Sequence, residues 1–339
     1  MESTDPRNKK LIHWLEGVLG QPIVNFQSMV GDASVRRYFR VKTDSGSFVV
    51  MDASELVDCC APFVAISDTL RLLGLNAPAI LAADLPKGFI LVTDFGDQTY
   101  LRSLTPANAD ALYQNALRSL SILQTCREVP GLVVPPFSKE FMWQEWEWHQ
   151  EWFLHVLLGL QLDDQLDAIK NCYQLIVDSA ANQPQVFMHR DYHSANLMLT
   201  QENDVGILDF QDAFMGPVTY DLASLLRDCY IDWPQEKVQA WVNFYLQLLQ
   251  SQGLLQGVTQ QEFMRWFDWM SIQRHLKALF TFSRKHVRDD QPSYLNHIPR
   301  TVNYIVQTTA QYPELMPLHQ LFVNQVEPVL NKVLTACAQ

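Results

Sequence analysis

Apolar positions along the first hundred residues follow two periods. Leu11, Ile12, Leu15 and Leu19 recur at helical spacing and predict an amphipathic opening helix. Tyr38-Phe39-Arg40-Val41-Lys42 and Phe48-Val49-Val50-Met51 then flank Thr43-Asp44-Ser45-Gly46. Two β-prone runs around a glycine-containing turn predict a hairpin. Residues 62–73 read as a helix, and Ala79–Ala83 and Phe89–Thr93 as two further strands around Pro86-Lys87-Gly88.

Beyond residue 97 the helical period takes over. Leu112, Ala116, Leu120 and Leu123 fall on one face, and residues 138–158, 163–181, 219–230, 235–252 and 259–285 read as helices. Gln185–Phe210 is the exception, with short apolar strands between polar loops. The pattern predicts an α+β chain with a β-rich N-terminal lobe over residues 1–96 and a mostly helical C-terminal lobe over residues 97–339. Clefts between such lobes are common ligand sites.

Composition narrows the function classes. Apolar residues make up 48% of the 339, enough for sizeable cores, and a charged fraction of 18% is too low for a disordered chain. A net charge of −12 argues against a nucleic-acid partner, which needs a basic footprint. The six cysteines form no C-x-x-C pair, which speaks against a zinc or redox motif. The polar opening MESTDPRNKK has no signal-peptide core, and no apolar run approaches the roughly 18 residues a membrane helix needs. The expectation is a reduced, cytoplasmic protein with neither nucleic acid nor membrane as partner.

The chemistry concentrates in one segment. His189-Arg190-Asp191-Tyr192-His193-Ser194-Ala195-Asn196 matches H-R-D-x-x-x-x-N, and Asp209 follows 13 positions after Asn196, at the end of the apolar stretch Val205–Leu208. Phosphoryl transfer needs an oriented nucleophile and neutralised phosphate charge. Asp191 suits the first task as acceptor for an attacking hydroxyl. Asn196 and Asp209 suit the second as oxygen ligands for Mg²⁺. Asp209 is followed by Phe210-Gln211, so a glycine-based flip of this segment is not expected. A literal D-F-G at Asp94-Phe95-Gly96 precedes the H-R-D loop, and that order excludes it as the metal segment. Its place after an apolar strand suits a connection between lobes, where the backbone of Thr93, Asp94 and Phe95 would pair with adenine.

Together with Gly216-Pro217-Val218-Thr219-Tyr220-Asp221-Leu222-Ala223, these segments resemble the aminoglycoside phosphotransferase/choline kinase superfamily. The resemblance implies a protein-kinase-like two-lobed fold, ATP and Mg²⁺ as cofactors, and a structural role for Asp221 near a helix N-terminus, where it would cap free N–H groups. Within the superfamily, the chain is similar to the anomeric N-acetylmuramate/N-acetylglucosamine kinases of Gram-negative cell-wall recycling. Asp32–Arg40, Phe48–Ala53, Leu208–Ala213 and Asp228–Pro234 carry that likeness. It implies ATP-dependent phosphorylation of an amino sugar at its anomeric hydroxyl, with the product passed to a nucleotidyltransferase. Other small-molecule kinases of the superfamily (aminoglycoside, choline or homoserine type) stay open as alternatives, as does a non-catalytic nucleotide binder.

The pattern departs from a protein kinase in its phosphate clamp. Met51 stands where the third-strand lysine belongs, and residues 62–73 hold Asp68 but no glutamate. The charge must come from elsewhere, and Arg36 or Arg37 is the expected source. Side chains alternate along a strand, so the two should not point the same way. Val30-Gly31-Asp32-Ala33-Ser34 makes a glycine-poor phosphate loop in which backbone N–H groups and the Ser34 hydroxyl would approach phosphate.

For the sugar, residues 141–152 offer four tryptophans, and aromatic faces stack on sugar C–H groups. Glu145 and His149 share one helical face and Trp148 lies on another. Trp233 is a further aromatic candidate. Arg190, His193, Gln211 and Asp212 neighbour the catalytic groups. A lactyl carboxylate on the substrate would favour a nearby cation, whereas aminoglycosides would need acids. His189 is expected to be structural, packing under the metal segment.

Overall fold

The structure, a computed structural model, describes residues 5–29, 36–162, 165–200 and 204–337. Ser34 and its loop therefore lie outside the described residues. In chain order, helix α1 (Pro6–Leu19) leads into strands β1 (Asn25–Met29), β2 (Arg37–Thr43) and β3 (Gly46–Asp52). Helix α2 (Cys60–Leu72), strands β4 (Ile80–Asp84) and β5 (Phe89–Thr93) and the short α3 (Tyr100–Ser103) follow. Next come α4 (Ala109–Leu123), α5 (Lys139–Trp148), α6 (Leu166–Asn182), β6 (Gln185–Met188), β7 (Leu197–Leu199), β8 (Val205–Ile207) and β9 (Phe214–Pro217). The chain closes with α7 (Tyr220–Leu226), α8 (Gln235–Ser251), α9 (Gln260–Val287), α10 (Ile298–Thr309), α11 (Met316–Leu321) and α12 (Glu327–Cys337).

The chain divides into two compact units. The first holds the residues up to Ser103 together with Glu128–Val134 and Asn196–Asp212; the second holds Leu104–Arg127, Pro135–Ala195 and the residues from Ala213 onward. The motif at 189–196 is thus cut by the fold: Asp191 belongs to the second unit, and Asn196, with Asp209, to the first.

In the first unit a five-stranded antiparallel sheet runs β1-β2-β3-β5-β4. Its alternation buries one face: Phe39, Val41, Val50, Phe89 and Leu91 pack against Leu11 and Leu15 of α1. Helix α1 starts at Asp5, whose side chain accepts from the Arg7 N–H at 2.9 Å, and stops at Gly20, whose φ of 63° suits glycine. Strand β1 has no clear β signature in Asn-Phe-Gln-Ser-Met. It forms because the edge of β2 offers a ladder and because Phe26 stacks on Phe39 with centroids 4.5 Å apart.

One ion cluster ties α1 to the sheet. The Asp52 side chain is fully buried and accepts from Arg7 Nε (2.7 Å) and Nη2 (3.0 Å), Arg37 Nη2 (2.7 Å) and the Ser54 N–H (3.0 Å). Arg37 also reaches Asp5 at 2.8 Å. Burial alone would push the Asp52 carboxyl up, but the two guanidinium groups outweigh it and hold it below its ordinary value.

The second unit is built around α9. Every residue from Phe267 to Leu276 is buried, so this helix is enclosed on all sides. Helix α5 runs on as a π-helical stretch, His149–Leu157, a widened geometry that hydrophobic periodicity does not announce. The C-terminal residues carry no motif yet supply core: Leu315, Leu318, Leu321, Phe322 and Val326 join the cluster that covers Ile272, Leu276 and Leu279. No helix among the described residues is long and apolar enough to cross a membrane.

Asp52→Ala leaves two guanidinium groups without their shared anion and should cost about 3 kcal/mol, the lower range for a buried pair losing one partner. Because the folded carboxyl titrates below the unfolded one, the wild-type contribution is present above the ordinary carboxylate range and is lost as pH falls through the folded value. Urea unfolding of wild type and variant between pH 3 and 7 checks both: the difference should shrink toward acid.

Candidate active site

Strand β6 delivers the chain into the loop beginning at His189, and a single buried carboxylate shapes that loop. Asp221, fully buried, accepts the backbone N–H groups of His189 (2.7 Å) and Arg190 (2.9 Å). The expectation that Asp221 caps its own helix is corrected: α7 shows no side-chain cap, and the carboxylate bonds across to the loop instead. Burial pushes the Asp221 carboxyl up to about 7, although both N–H bonds pull it down. Arg190 takes a left-handed φ of 79°, costly for a residue with a Cβ. The conformation persists because Arg190 is clamped at both ends. Its Nη2 donates to Glu145 at 3.0 Å, and its guanidinium lies over the rings of Phe141 and Phe214 at 5.3 and 5.1 Å.

Three more contacts fix the loop around Asp191. The Asp191 N–H donates to Nδ1 of the buried His189 at 3.3 Å, so this ring supports the backbone of the loop. Ser194 donates to Asp228 through its N–H (3.0 Å) and its hydroxyl (2.5 Å), and Asp228 also accepts from the Tyr230 N–H (2.9 Å). Lys277 Nζ, from α9, donates to Asp191 Oδ1 at 2.9 Å. Burial raises the Asp191 carboxyl, but Lys277 first, then His193 and Arg190, outweigh it and hold the group far below the usual carboxylate range. Asp191 is therefore an ionised acceptor, suited to orienting a hydroxyl. Lys277, 86 residues distant, carries no sequence signal that motif reasoning reads.

The candidate metal segment lies in the first unit. Strands β7 and β8 pair, and the chain turns after β8 to Asp209, which takes a left-handed φ of 62°. Asp209 Oδ2 accepts from Asn196 Nδ2 (3.4 Å), and Oδ1 from Gln211 Nε2 (2.8 Å). Asp209 is exposed and offers an anionic carboxylate beside an amide oxygen. This oxygen donor set fits Mg²⁺, which is held by few protein ligands and keeps water and phosphate oxygens in its shell. Among the described residues no group of three or more His, Cys, Asp or Glu side chains could hold a metal alone. Gln211 thus orients Asp209. Gly206 in β8 is required by packing: a Cβ there would come within 2.9 Å of the Phe95 ring.

The two candidate arginines of the phosphate clamp separate: Arg36 stands just before β2, and Arg37 is its first residue. Arg36 lies 3.9 Å from Asp212, beside the metal segment, while Arg37 is spent on Asp5 and Asp52. Arg37 is corrected from phosphate ligand to structural cation. Met51 is fully buried in the third strand, opposite Tyr38, and Asp68 is exposed. In the Thr93-Asp94-Phe95 segment, the Thr93 N–H already donates to Ala79 O at 3.1 Å, and Asp94 binds Arg40 (2.7 Å) and Ser47 (2.6 Å).

Several sugar candidates prove to be framework. Glu145 is 1% exposed and bonds Arg190 and Gln273 (2.7 Å). His149 is fully buried against Leu276 O at 3.1 Å, and burial lowers it to about 3, so it is a neutral core residue. Both are corrected from substrate contacts to core. Trp148 packs on Phe280, and Trp233 donates to the Tyr113 hydroxyl at 2.8 Å within an aromatic group that includes Trp241. His193 stays beside Asp191, its ring against Tyr230 and its buried Nδ1 without a hydrogen bond.

Comparison with known proteins agrees with this geometry. The pattern of the phosphotransferase enzyme family matches residues 26–258. The chain is 39% identical over 333 residues to the N-acetylmuramate/N-acetylglucosamine kinase of Pseudomonas aeruginosa, covering 95% of this chain and 98% of that one. It is 36% identical to the protein of the same name from Neisseria meningitidis, covering 94% and 96%. Among solved structures, the choline kinase LicA from Streptococcus pneumoniae superposes with a TM-score of 0.62 at 13% identity, covering 88% of this chain and 99% of that one. The ADP-bound aminoglycoside phosphotransferase APH(2'')-Ib superposes at 0.60 and 14% identity, covering 88% and 98%. The fold is therefore protein-kinase-like, with a small antiparallel sheet preceding a mostly helical C-terminal part. The chain belongs to the phosphotransferase enzyme family and is a kinase.

Lys277→Met removes the cation that offsets burial of Asp191. The acid limb of kcat/KM should move to higher pH by about one unit or more, since an opposite charge this close is worth roughly 1–3 units. A limb that stays in place while kcat/KM falls at every pH contradicts this role.

Proposed function

We propose that the chain transfers the γ-phosphoryl group of ATP to the anomeric hydroxyl of N-acetylmuramate or N-acetylglucosamine. The observation that carries this reading is the extent of the likeness. Three relatives bearing that kinase name align with 94–96% of this chain, so the similarity includes the helical unit as well as the shared motif. Residues 1–96 form the nucleotide lobe in this reading and residues 97–339 the catalytic and substrate lobe.

Asp191 accepts a hydrogen bond from the anomeric hydroxyl and aims its lone pair at phosphorus. Held far below the usual carboxylate range by Lys277, it is a poor base early in the reaction. That suits a loose transition state, in which the nucleophile keeps its proton until late. Asn196 and Asp209 hold Mg²⁺, which when bound neutralises charge on the phosphates. Arg36 supplies the cation that the third strand lacks. With the Thr93 N–H engaged, the backbone of Asp94 and Phe95 faces the adenine. The enzyme works in the cytoplasm, and its sugar 1-phosphate is the substrate class that a nucleotidyltransferase consumes.

Purified protein with Mg-ATP should release ADP with either amino sugar and not with kanamycin or choline. The sugar product should lose its phosphate in mild acid, as an anomeric phosphate does and a 6-phosphate does not. Absence of turnover with both sugars refutes the reading. A second experiment separates the arginines: Arg36→Ala should raise the ATP KM about tenfold or more, the size of one charge-assisted contact. Arg37→Ala should instead lower the urea midpoint and leave the ATP KM near wild type.

A further inference from the structure

Helix α9 carries two cations one turn apart, Arg274 and Lys277, on neighbouring positions of one face. Lys277 has its carboxylate, Asp191 at 2.9 Å. Arg274 has none. It is 5% exposed, its Nη1 donates only to Cys229 Sγ at 3.3 Å, its Nε has no partner, and it joins no ion pair among the described residues. A guanidinium does not shed its proton to escape burial. A buried charge without an anion costs several kcal/mol, and such a group calls for an explanation in the ligand that completes it.

The nearby acids do not fill the role. Asp191 is bonded to Lys277, and Asp228 accepts from Ser194 and Tyr230. Both still lie within electrostatic range of Arg274, which places this cation in the neighbourhood of the catalytic carboxylate. His193 shares that neighbourhood, with its buried Nδ1 also lacking a partner. Two polar groups beside the catalytic loop thus await the same kind of neighbour.

We propose that Arg274 is the subsite for an anionic substituent of the acceptor sugar, namely the lactyl carboxylate of N-acetylmuramate, with His193 at its margin. This rests on the reading of the chain as a kinase for that sugar. The transferring phosphoryl group is the other anion available, and the geometry favours the carboxylate. Lys277 already stands at the carboxylate that aims the nucleophile, and Arg274 lies one turn further along the helix. The lactyl group sits on C3, two ring atoms from the anomeric carbon, so one helical turn from the Asp191 partner is a matching reach. A planar carboxylate also fits the two-pronged guanidinium edge. A cationic acceptor such as an aminoglycoside would be repelled here.

The test pairs an enzyme change with a substrate change. Wild type and Arg274→Met are assayed with N-acetylmuramate, its lactyl methyl ester and N-acetylglucosamine. Wild type should prefer the acid to the ester by about 10- to 100-fold in KM, the size of a charge-assisted contact. Arg274→Met should erase that preference and lower the ratio of kcat/KM for N-acetylmuramate over N-acetylglucosamine by the same factor. Arg274→Lys, which keeps the charge but loses the fork, should retain part of it. If Arg274→Met does not fold, the acid-against-ester comparison on wild type and the lysine variant still decide. Equal loss with both sugars assigns the cation to the transferred phosphate or to folding and overturns the proposal. So does a wild type indifferent to esterification. If wild type phosphorylates neither sugar, the kinase reading fails and the assignment falls with it.

Discussion

The helical unit depends on one carboxylate in its interior. Asp221, sealed from solvent, binds the main-chain N–H groups of His189 and Arg190. Those two bonds hold the backbone through a left-handed residue that bears a long side chain. The strain at Arg190 is offset from several directions, by Asp221 on its N–H, by Glu145 on its guanidinium and by two aromatic rings. Asp191 comes next in the chain, so its direction follows from this clamp. The placement of α5, α7 and β9 can be understood as the frame that keeps Asp221, Glu145 and Phe214 where Arg190 needs them.

Burial of charge is the recurring device. In a low-dielectric interior an ionised group must be matched, and the match dictates geometry. Asp52 is matched by Arg7 and Arg37, which locks α1 onto the sheet. Arg227 is matched by Asp268, which itself binds Tyr312, and this links α7 to α9 and the C-terminal segment. Asp191 is matched by Lys277. Each pair joins elements distant in sequence, and at Asp52 and Asp191 the partner cations also hold the carboxylate below its ordinary range. Arg274 stands out against this background because it joins no ion pair among the described residues.

The first unit solves a different problem. A protein kinase neutralises phosphate with a lysine on the third strand, and here that position is the buried Met51. Arg36, just before β2, is the cation that approaches Asp212 next to the candidate metal segment. Asp209 is held by two amide donors rather than by a flexible glycine turn, which keeps its carboxylate in one orientation. The Phe95 ring against Gly206 packs the segment after β5 onto the strand that precedes Asp209.

Much of the molecule was readable along the chain. The opening helix, the β2–β3 hairpin, α2, β5 and the long helices follow from local periodicity, which depends only on neighbours within a turn or a strand. The loop at 189–196 and Asp209 were readable because their spacing is short and chemically specific. Which of Arg36 and Arg37 approaches the candidate metal segment was not readable. What stayed hidden depends on partners far away in sequence. Strand β1 exists because β2 offers it an edge. Glu145 and His149 look like ligands on a helical wheel, and only packing against α9 puts them in the core. Lys277 and Arg274 look alike as cations one turn apart in a long helix. A carboxylate 86 residues earlier makes one of them an ion pair, and the want of one leaves the other buried and unmatched. Local pattern carries periodicity and motif, because these are properties of adjacent residues. Charge pairing and burial are properties of the folded neighbourhood, and they emerge only when distant segments meet.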